Sequence, residues 1–221
     1  MSLLTMLREF AVRSALAGAA IEFIASPAAA HPHEFITVQT EVVFDDAGRV
    51  IGMRHAWLLD EFFTAYAVEG ADSDGDGAPD REGLTDLMLE ILGNIAQSGY
   101  LTDFRTMGEA PKITSHNPLS VDLKSRRLSL NFEVVFAEPY DASQTPLRYA
   151  LYEPTYYIAV NHVPGASAVT LDNAPEGCRS SLQEPDPGED LTAFALALDK
   201  TQSAGDGLGV NFAEWVTVTC S

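Results

Sequence analysis

Phe35-Ile36-Thr37-Val38-Gln39-Thr40-Glu41-Val42-Val43-Phe44, the turn Asp45-Asp46-Ala47-Gly48-Arg49, and Val50-Ile51-Gly52-Met53-Arg54-His55-Ala56-Trp57-Leu58-Leu59 make one continuous pattern. In the first run Ile36, Val38, Val42 and Phe44 fall on one face of a strand, and Thr37, Gln39 and Glu41 on the other. Asp-Asp-Ala-Gly is turn chemistry. Folding the second run back antiparallel sets Phe44 opposite Ile51, Val42 opposite Met53, Thr40 opposite His55, Val38 opposite Trp57 and Ile36 opposite Leu59. One face of the ribbon is then almost wholly apolar. A slip of one residue would turn that face to solvent, so the pattern fixes the register.

Working outward on the C-terminal side, Asp60–Glu69 has helical spacing, with Phe62, Phe63, Tyr66 and Ala67 on one side. An acidic loop follows. Leu84–Ala96 carries a second helical stripe of Leu84, Leu87, Met88, Ile91, Leu92 and Ile95, and Gly99 ends it. From Tyr100 onward the chain reads mainly as strands: Leu101–Thr106, Val121–Leu123, Leu128–Phe136, Leu147–Tyr152, Tyr156–His162, Ala168–Leu171 and Val216–Cys220. Prolines punctuate them. Leu191–Leu198 reads as a short helix, with Glu189 and Asp190 at its positive end. The expected class is α+β: a mainly antiparallel, β-sandwich-like body with a helix–acidic loop–helix, EF-hand-like, inserted over residues 59–97 after the first hairpin.

On the N-terminal side, residues 1–30 read as a cleaved secretory signal peptide. Arg8 and Arg13 give a positive start, Ser14–Ala25 is mostly small and apolar, and Ala28-Ala29-Ala30 meets the small-residue rule for cleavage. Glu22 departs from the usual apolar core. The run is too short and interrupted to span a bilayer. The remainder, 31–221, has the length of a single domain. The expected location is the periplasm.

The chain has 13 basic and 32 acidic residues, a net charge of −19. Losing residues 1–30 removes Arg8, Arg13, Glu9 and Glu22 and leaves the net charge unchanged. No basic footprint for nucleic acid is present, and cations are drawn to such a surface. In an exported chain the two cysteines, Cys178 and Cys220, argue for a disulfide rather than a thiolate metal site. That bond would tie the last strand to a loop about forty residues earlier and contribute roughly 4 kcal/mol in the chain-entropy model.

Two segments carry metal-binding chemistry. The first is Asp72-Ser73-Asp74-Gly75-Asp76-Gly77-Ala78-Pro79-Asp80. A calcium loop places oxygen ligands at positions 1, 3, 5, 7 and 9, a glycine at 6 and a bidentate Glu at 12. Counted from Asp72, the ligands are Asp72, Asp74, Asp76, the Ala78 carbonyl and Asp80, with Gly77 at the turn. Position 12 is Gly83, with Glu82 one place early as a substitute. Extracellular-type affinity, on the order of 10⁻⁴–10⁻³ M, is expected. An acidic surface turn is the plain alternative, but clustered carboxylates repel one another without a cation.

The second is His31-Pro32-His33. Cleavage after Ala30 would leave a free α-amine and two imidazoles at the chain terminus. Pro32 has no N–H, which excludes the terminal copper motif that uses the second residue's deprotonated amide. Imidazole suits zinc, copper, nickel and iron alike, so the residues do not single out the metal. The hairpin register carries Asp60 opposite Phe35 and Glu61 opposite Glu34, bringing two carboxylates toward the histidines. The metal set is therefore His31, His33, Asp60 and Glu61, against the plain alternative of a frayed terminus. His55 lies on the apolar face and reads as a core histidine. His116 and His162 sit where either could fold toward the terminus.

Taken together, several marks resemble a family of exported bacterial proteins, the domain of unknown function numbered 1007 (DUF1007). They are His31-Pro32-His33 after the signal, Trp57 with Asp60-Glu61-Phe62-Phe63, Asp74-Gly75-Asp76-Gly77, Tyr152-Glu153-Pro154-Thr155-Tyr156-Tyr157, Cys178, and Phe212-Ala213-Glu214-Trp215-Val216-Thr217-Val218-Thr219-Cys220. They run in order through the whole of 31–221. The resemblance implies a periplasmic component of a transition-metal transport system, encoded beside nickel/cobalt- or zinc-type transporters, with no established catalytic activity. Gly83 departs from the family's usual Glu, and Glu153 from its commoner Asp.

The expected function is a periplasmic accessory protein that exchanges zinc, nickel, cobalt or copper with a membrane transporter and is not itself membrane-spanning, with calcium as a second cation. A metalloenzyme using an N-terminal-histidine centre is the alternative from another class, although no Gly-x-Ser-x-Gly, HExxH, Gly-rich phosphate loop or CxxC is present. A calcium-stabilised structural module is the third reading.

Overall fold

The hairpin lies in the larger of two sheets. In the computed structural model, residues 31–198, 202 and 204–221 are described; the expected signal peptide, 1–30, lies outside them. Strand β1 is Glu34–Phe44 and β2 is Val50–Leu59. They pair antiparallel with Ile36 opposite Leu59, Val38 opposite Trp57, Thr40 opposite His55 and Val42 opposite Met53. The expected register differs only at the turn end. There Phe44 meets Val50 instead of Ile51, because the ladder shifts after Val43. The slip sits beside Gly52, whose missing Cβ would lie 2.3 Å from the Val134 carbonyl oxygen. Only glycine permits so close a backbone, and glycine inside a strand commonly marks such an irregularity.

After the hairpin come α1 (Glu61–Ala67), a 3₁₀ turn (Val68–Gly70), the acidic loop and α2 (Arg81–Ala96). Asp60 caps α1, its Oδ1 accepting from the amides of Phe62 and Phe63 at 2.8 Å. Leu84, Met88 and Leu92 of α2 are buried in the main core. A second 3₁₀ turn (Gly99–Leu101) leads into β3 (Thr102–Phe104), β4 (Ile113–Lys124), β5 (Arg127–Tyr140), β6 (Leu147–Leu151), β7 (Ile158–His162), β8 (Val169–Asp172) and β9 (Arg179–Gln183). Helix α3 (Glu189–Ala197), a 3₁₀ turn (Gly209–Phe212) and β10 (Trp215–Thr219) close the chain.

The six-stranded sheet runs β4-β5-β2-β1-β7, with β8 also on β1; the four-stranded sheet runs β3-β6-β10-β9. Inward residues of both, from Val38, Trp57 and Phe132 to Leu147, Tyr149 and Val218, share one core. The class is α+β with two mostly antiparallel sheets. Three details differ from expectation. First, β7 and β8 lie parallel to β1 in tandem, β7 along Glu34–Val38 and β8 along Thr40–Val43. Second, β4 is far longer than Val121–Leu123. It runs through Pro118, which is tolerated because β4 is an edge strand whose ladder shifts between Pro118 and Ser120. Third, β9 was not expected: Arg179-Ser180-Ser181-Leu182-Gln183 is too polar to stand out, and β10 recruits it as an edge.

Cys178 and Cys220 are disulfide-bonded. They flank the β9–β10 pair, where Arg179 opposes Thr219. The bond fits an oxidising, exported environment. Among the described residues no helix is long and apolar enough to cross a membrane.

Candidate metal-binding sites

The start of β1 lies between the end of β2 and the start of β7. Phe35 pairs with Asp60 across the hairpin, the Asp60 amide donating to the Phe35 carbonyl at 3.0 Å. On the other side Glu34 opposes Ile158. Just before this point the His33 amide donates to the Tyr157 carbonyl at 2.9 Å. Local backbone pairing thus brings three rings together. His31 and His33 meet edge to face with centroids 4.8 Å apart, and Tyr157 lies 4.7 Å from His33 and 6.0 Å from His31. His31 is buried, and its Nδ1 has no hydrogen-bond partner.

Tyr157 is held by a tight loop. The Glu153 carboxylate accepts from the Thr155 amide (2.9 Å), the Thr155 hydroxyl (2.8 Å) and the Tyr157 amide (2.8 Å). The Tyr156 ring stacks on Phe212 at 4.0 Å. Gly207 and Gly209 donate their amides to the Pro154 carbonyl. A Cβ on Gly209 would overlap the Glu153 carbonyl, which explains a glycine there. Glu153 and Tyr157 were not among the expected site residues. Their signal was the Tyr152–Tyr157 motif, to which the residues alone gave no role.

The two expected carboxylates have other work. Asp60 uses Oδ1 as the helix cap, and its Oδ2 accepts from the Phe35 amide at 2.7 Å. Glu61 pairs with Arg126 at 2.6 Å. The acid nearest in sequence to the histidines is instead Glu34, half-buried at the head of β1. Burial raises its carboxyl above the usual range, and the negative charge of Asp60 adds to that.

In the acidic loop Asp72, Asp74 and Asp80 bring carboxylate oxygens within 4.8 Å of one another. Asp72 Oδ1 accepts from the amides of Gly75 and Asp76, and its Oδ2 from Gly77. Asp80 Oδ2 accepts from the Ser73 amide at 2.8 Å and the Asp74 amide at 3.2 Å, and also binds the Ser73 hydroxyl. Asp80 Oδ1 caps α2 through the Gly83 amide. These bonds, the Ser73 hydroxyl foremost and the Gly83 amide next, hold the Asp80 carboxyl down at about 2. Asp76 stands apart from the trio, with Oδ1 accepting from the Ala78 amide at 2.9 Å. Glu82 lies exposed in the first turn of α2. Gly83 packs on the backbone of Ala71: a Cβ there would lie 2.2 Å from the Ala71 carbonyl oxygen. No side chain fits at position 12.

A family model described as "Protein of unknown function (DUF1007)" matches residues 16–220. The chain belongs to the DUF1007 family. An uncharacterized protein of Haemophilus influenzae is 28% identical over 201 residues, covering 90% of this chain and 95% of that one. Within this DUF1007 protein, motifs far apart in sequence meet in space. Tyr156 of the Tyr152–Tyr157 loop stacks on Phe212, and Tyr157 lies beside His31 and His33 where β1 and β7 begin. The other histidines lie elsewhere. His116 is on β4, three strands from β1, where its Nδ1 shares a 2.7 Å hydrogen bond with the Tyr100 hydroxyl. His162 ends β7, with its Nδ1 bonded to Glu214 Oε2 at 2.8 Å. His55 is buried, with its Nδ1 3.2 Å from the Thr40 hydroxyl.

Proposed function

We propose that this DUF1007 protein is a periplasmic metal-binding accessory protein that exchanges a divalent transition metal with a membrane transporter. His31 and His33 would bind the ion, which is cargo. The observation carrying this reading is the packing of the two imidazoles at 4.8 Å beside Tyr157, with His31 buried and its Nδ1 unpartnered. Cleavage after Ala30 would add the α-amine of His31 as a third nitrogen. A borderline-soft set of nitrogens suits zinc, nickel, cobalt or copper over calcium or magnesium. The net charge of −19 concentrates cations around the protein. Tyr157 shields one side of the pair, and the Glu153 network fixes Tyr157. A second cation, calcium, would be held by Asp72, Asp74 and Asp80, the trio whose oxygens converge.

Calorimetry on the signal-cleaved protein tests the proposal. Zinc, nickel, cobalt and copper are titrated into it and into the variant carrying His31→Ala and His33→Ala. At least one metal is expected to bind tightly and to weaken by tenfold or more in the variant. Affinity falls as pH drops through the histidine range, because protons compete for the same lone pairs. One extra residue before His31 weakens binding if the amine is a ligand. Equal binding by both proteins removes the terminal site, and the calcium-stabilised module then becomes the better reading.

A further inference from the structure

We propose that His55 and His162 form a second divalent transition-metal site, buried between the two sheets and separate from the chain-terminal histidines. Both project from the inward face of the six-stranded sheet. Val38 of β1 opposes His162 on one side and Trp57 on the other, and Thr40, two residues on, opposes His55. The two histidines thus flank β1 one inward rung apart. Strand spacing and rise put their Cα atoms about 12 Å apart, a span that two imidazoles can close around one ion with nitrogen–metal bonds of about 2.0–2.1 Å.

Each ring is already oriented through Nδ1. His55 Nδ1 lies 3.2 Å from the Thr40 hydroxyl, and His162 Nδ1 lies 2.8 Å from Glu214 Oε2. A carboxylate only accepts, so the His162 proton sits on Nδ1, and Nε2 of the neutral ring carries a lone pair. A carboxylate holding the far nitrogen of an imidazole is the usual support of a metal-bound histidine. Both Nε2 atoms are buried with no hydrogen-bond partner. Natural interiors pair their buried polar atoms, so two imidazole nitrogens left open on either side of β1 indicate a shared missing partner. Two imidazoles form a set that zinc, cobalt, nickel or copper accepts.

The arrangement also accounts for Glu214. Its side chain is 13% exposed, and its one described ionic partner is His162, whose backbone amide bonds the same oxygen. A cation beside His162 would balance that carboxylate. Glu214 stands at the edge of the six-stranded sheet, where β7 has no further strand.

Cobalt(II) titration of the signal-cleaved His31→Ala, His33→Ala protein, with excess calcium to saturate the acidic loop, tests the inference. The expected result is one cobalt per chain with the visible absorption of nitrogen ligation. Adding His162→Gln abolishes the absorption, and adding Glu214→Gln lowers affinity about 10- to 100-fold. If His162→Gln fails to fold by circular dichroism, the Glu214→Gln shift decides. A folded parent that binds no cobalt, or one whose absorption is unchanged by both substitutions, overturns the site; an ordered water bridging the rings would then satisfy them. Because the parent lacks His31 and His33, this result stands apart from the fate of the terminal site.

Discussion

Gly83 sits so close to Ala71 that the helix entering at Arg81 closes the acidic loop by backbone contact rather than by a bidentate glutamate. Gly83→Glu is therefore expected to destabilise the protein by about 1–3 kcal/mol, the usual cost of overpacking, and not to tighten calcium. Melting curves of the variant and the parent, each in calcium and in chelator, check both halves. A variant that melts higher in calcium than the parent does would refute the packing account. The loop also shows where residue-level reading runs out. Asp72, Asp74 and Asp80 converge as their spacing suggested, because a turn built on Gly75 and Gly77, both at positive φ, returns the chain on itself. The turning away of Asp76 toward the Ala78 amide depends on backbone donors that no spacing rule ranks. Asp60 was read only as a ligand and as the start of a helix; the amides of Phe62 and Phe63 make it the helix cap, and that of Phe35 takes its other oxygen.

At the scale of elements, the β1–β2 hairpin was legible because alternation over ten residues leaves one register with a dry face. Its turn is built by Asp45, whose Oδ1 accepts from the amides of Ala47 and Arg49 and whose Oδ2 pairs with the Arg49 guanidinium at 2.8 Å. The Arg49 amide, before the guanidinium, holds the Asp45 carboxyl below its usual range. A carboxyl lowered in the folded state contributes stability above its unfolded value of about 3.9, and that contribution is lost as pH falls through the lower folded value. Asp45→Asn keeps an acceptor oxygen but does not titrate. Its urea stability is expected to fall less steeply than the parent's from about pH 5 to about pH 2; parallel slopes would count against the assignment. The less legible elements share a cause. β4 contains Pro118, and β9 is nearly all polar, so each owes its strand form to a neighbour already in place. The parallel pairing of β7 and β8 on β1 was hidden because contacts between residues 34–43 and 158–172 leave no local pattern.

For the whole molecule, the Cys178–Cys220 bond closes a loop across 42 positions and ties the edge strand β9 to β10. Replacing both cysteines by serine is expected to cost about 4 kcal/mol, read from urea unfolding, and a loss below about 1 kcal/mol would mean that the β9–β10 pairing holds without it. The pairing of both histidine clusters with far-off segments is likewise a property of the complete fold: His33 needs Tyr157, and His162 needs Glu214. The central place of β1 has a further consequence for how such a chain comes into being. Its first 140 residues include everything needed for β4-β5-β2-β1, a ribbon of antiparallel neighbours. The other edge of β1 waits for residues 158–172. A polypeptide leaving a ribosome or a translocation pore N-terminus first would therefore carry an open strand edge, the kind that pairs with strangers, until most of its length had emerged. The same delay would keep the His31–His33 end unfinished until Tyr157 arrived. Such a chain completes the surroundings of its paired histidines only when its vulnerable edge is sealed.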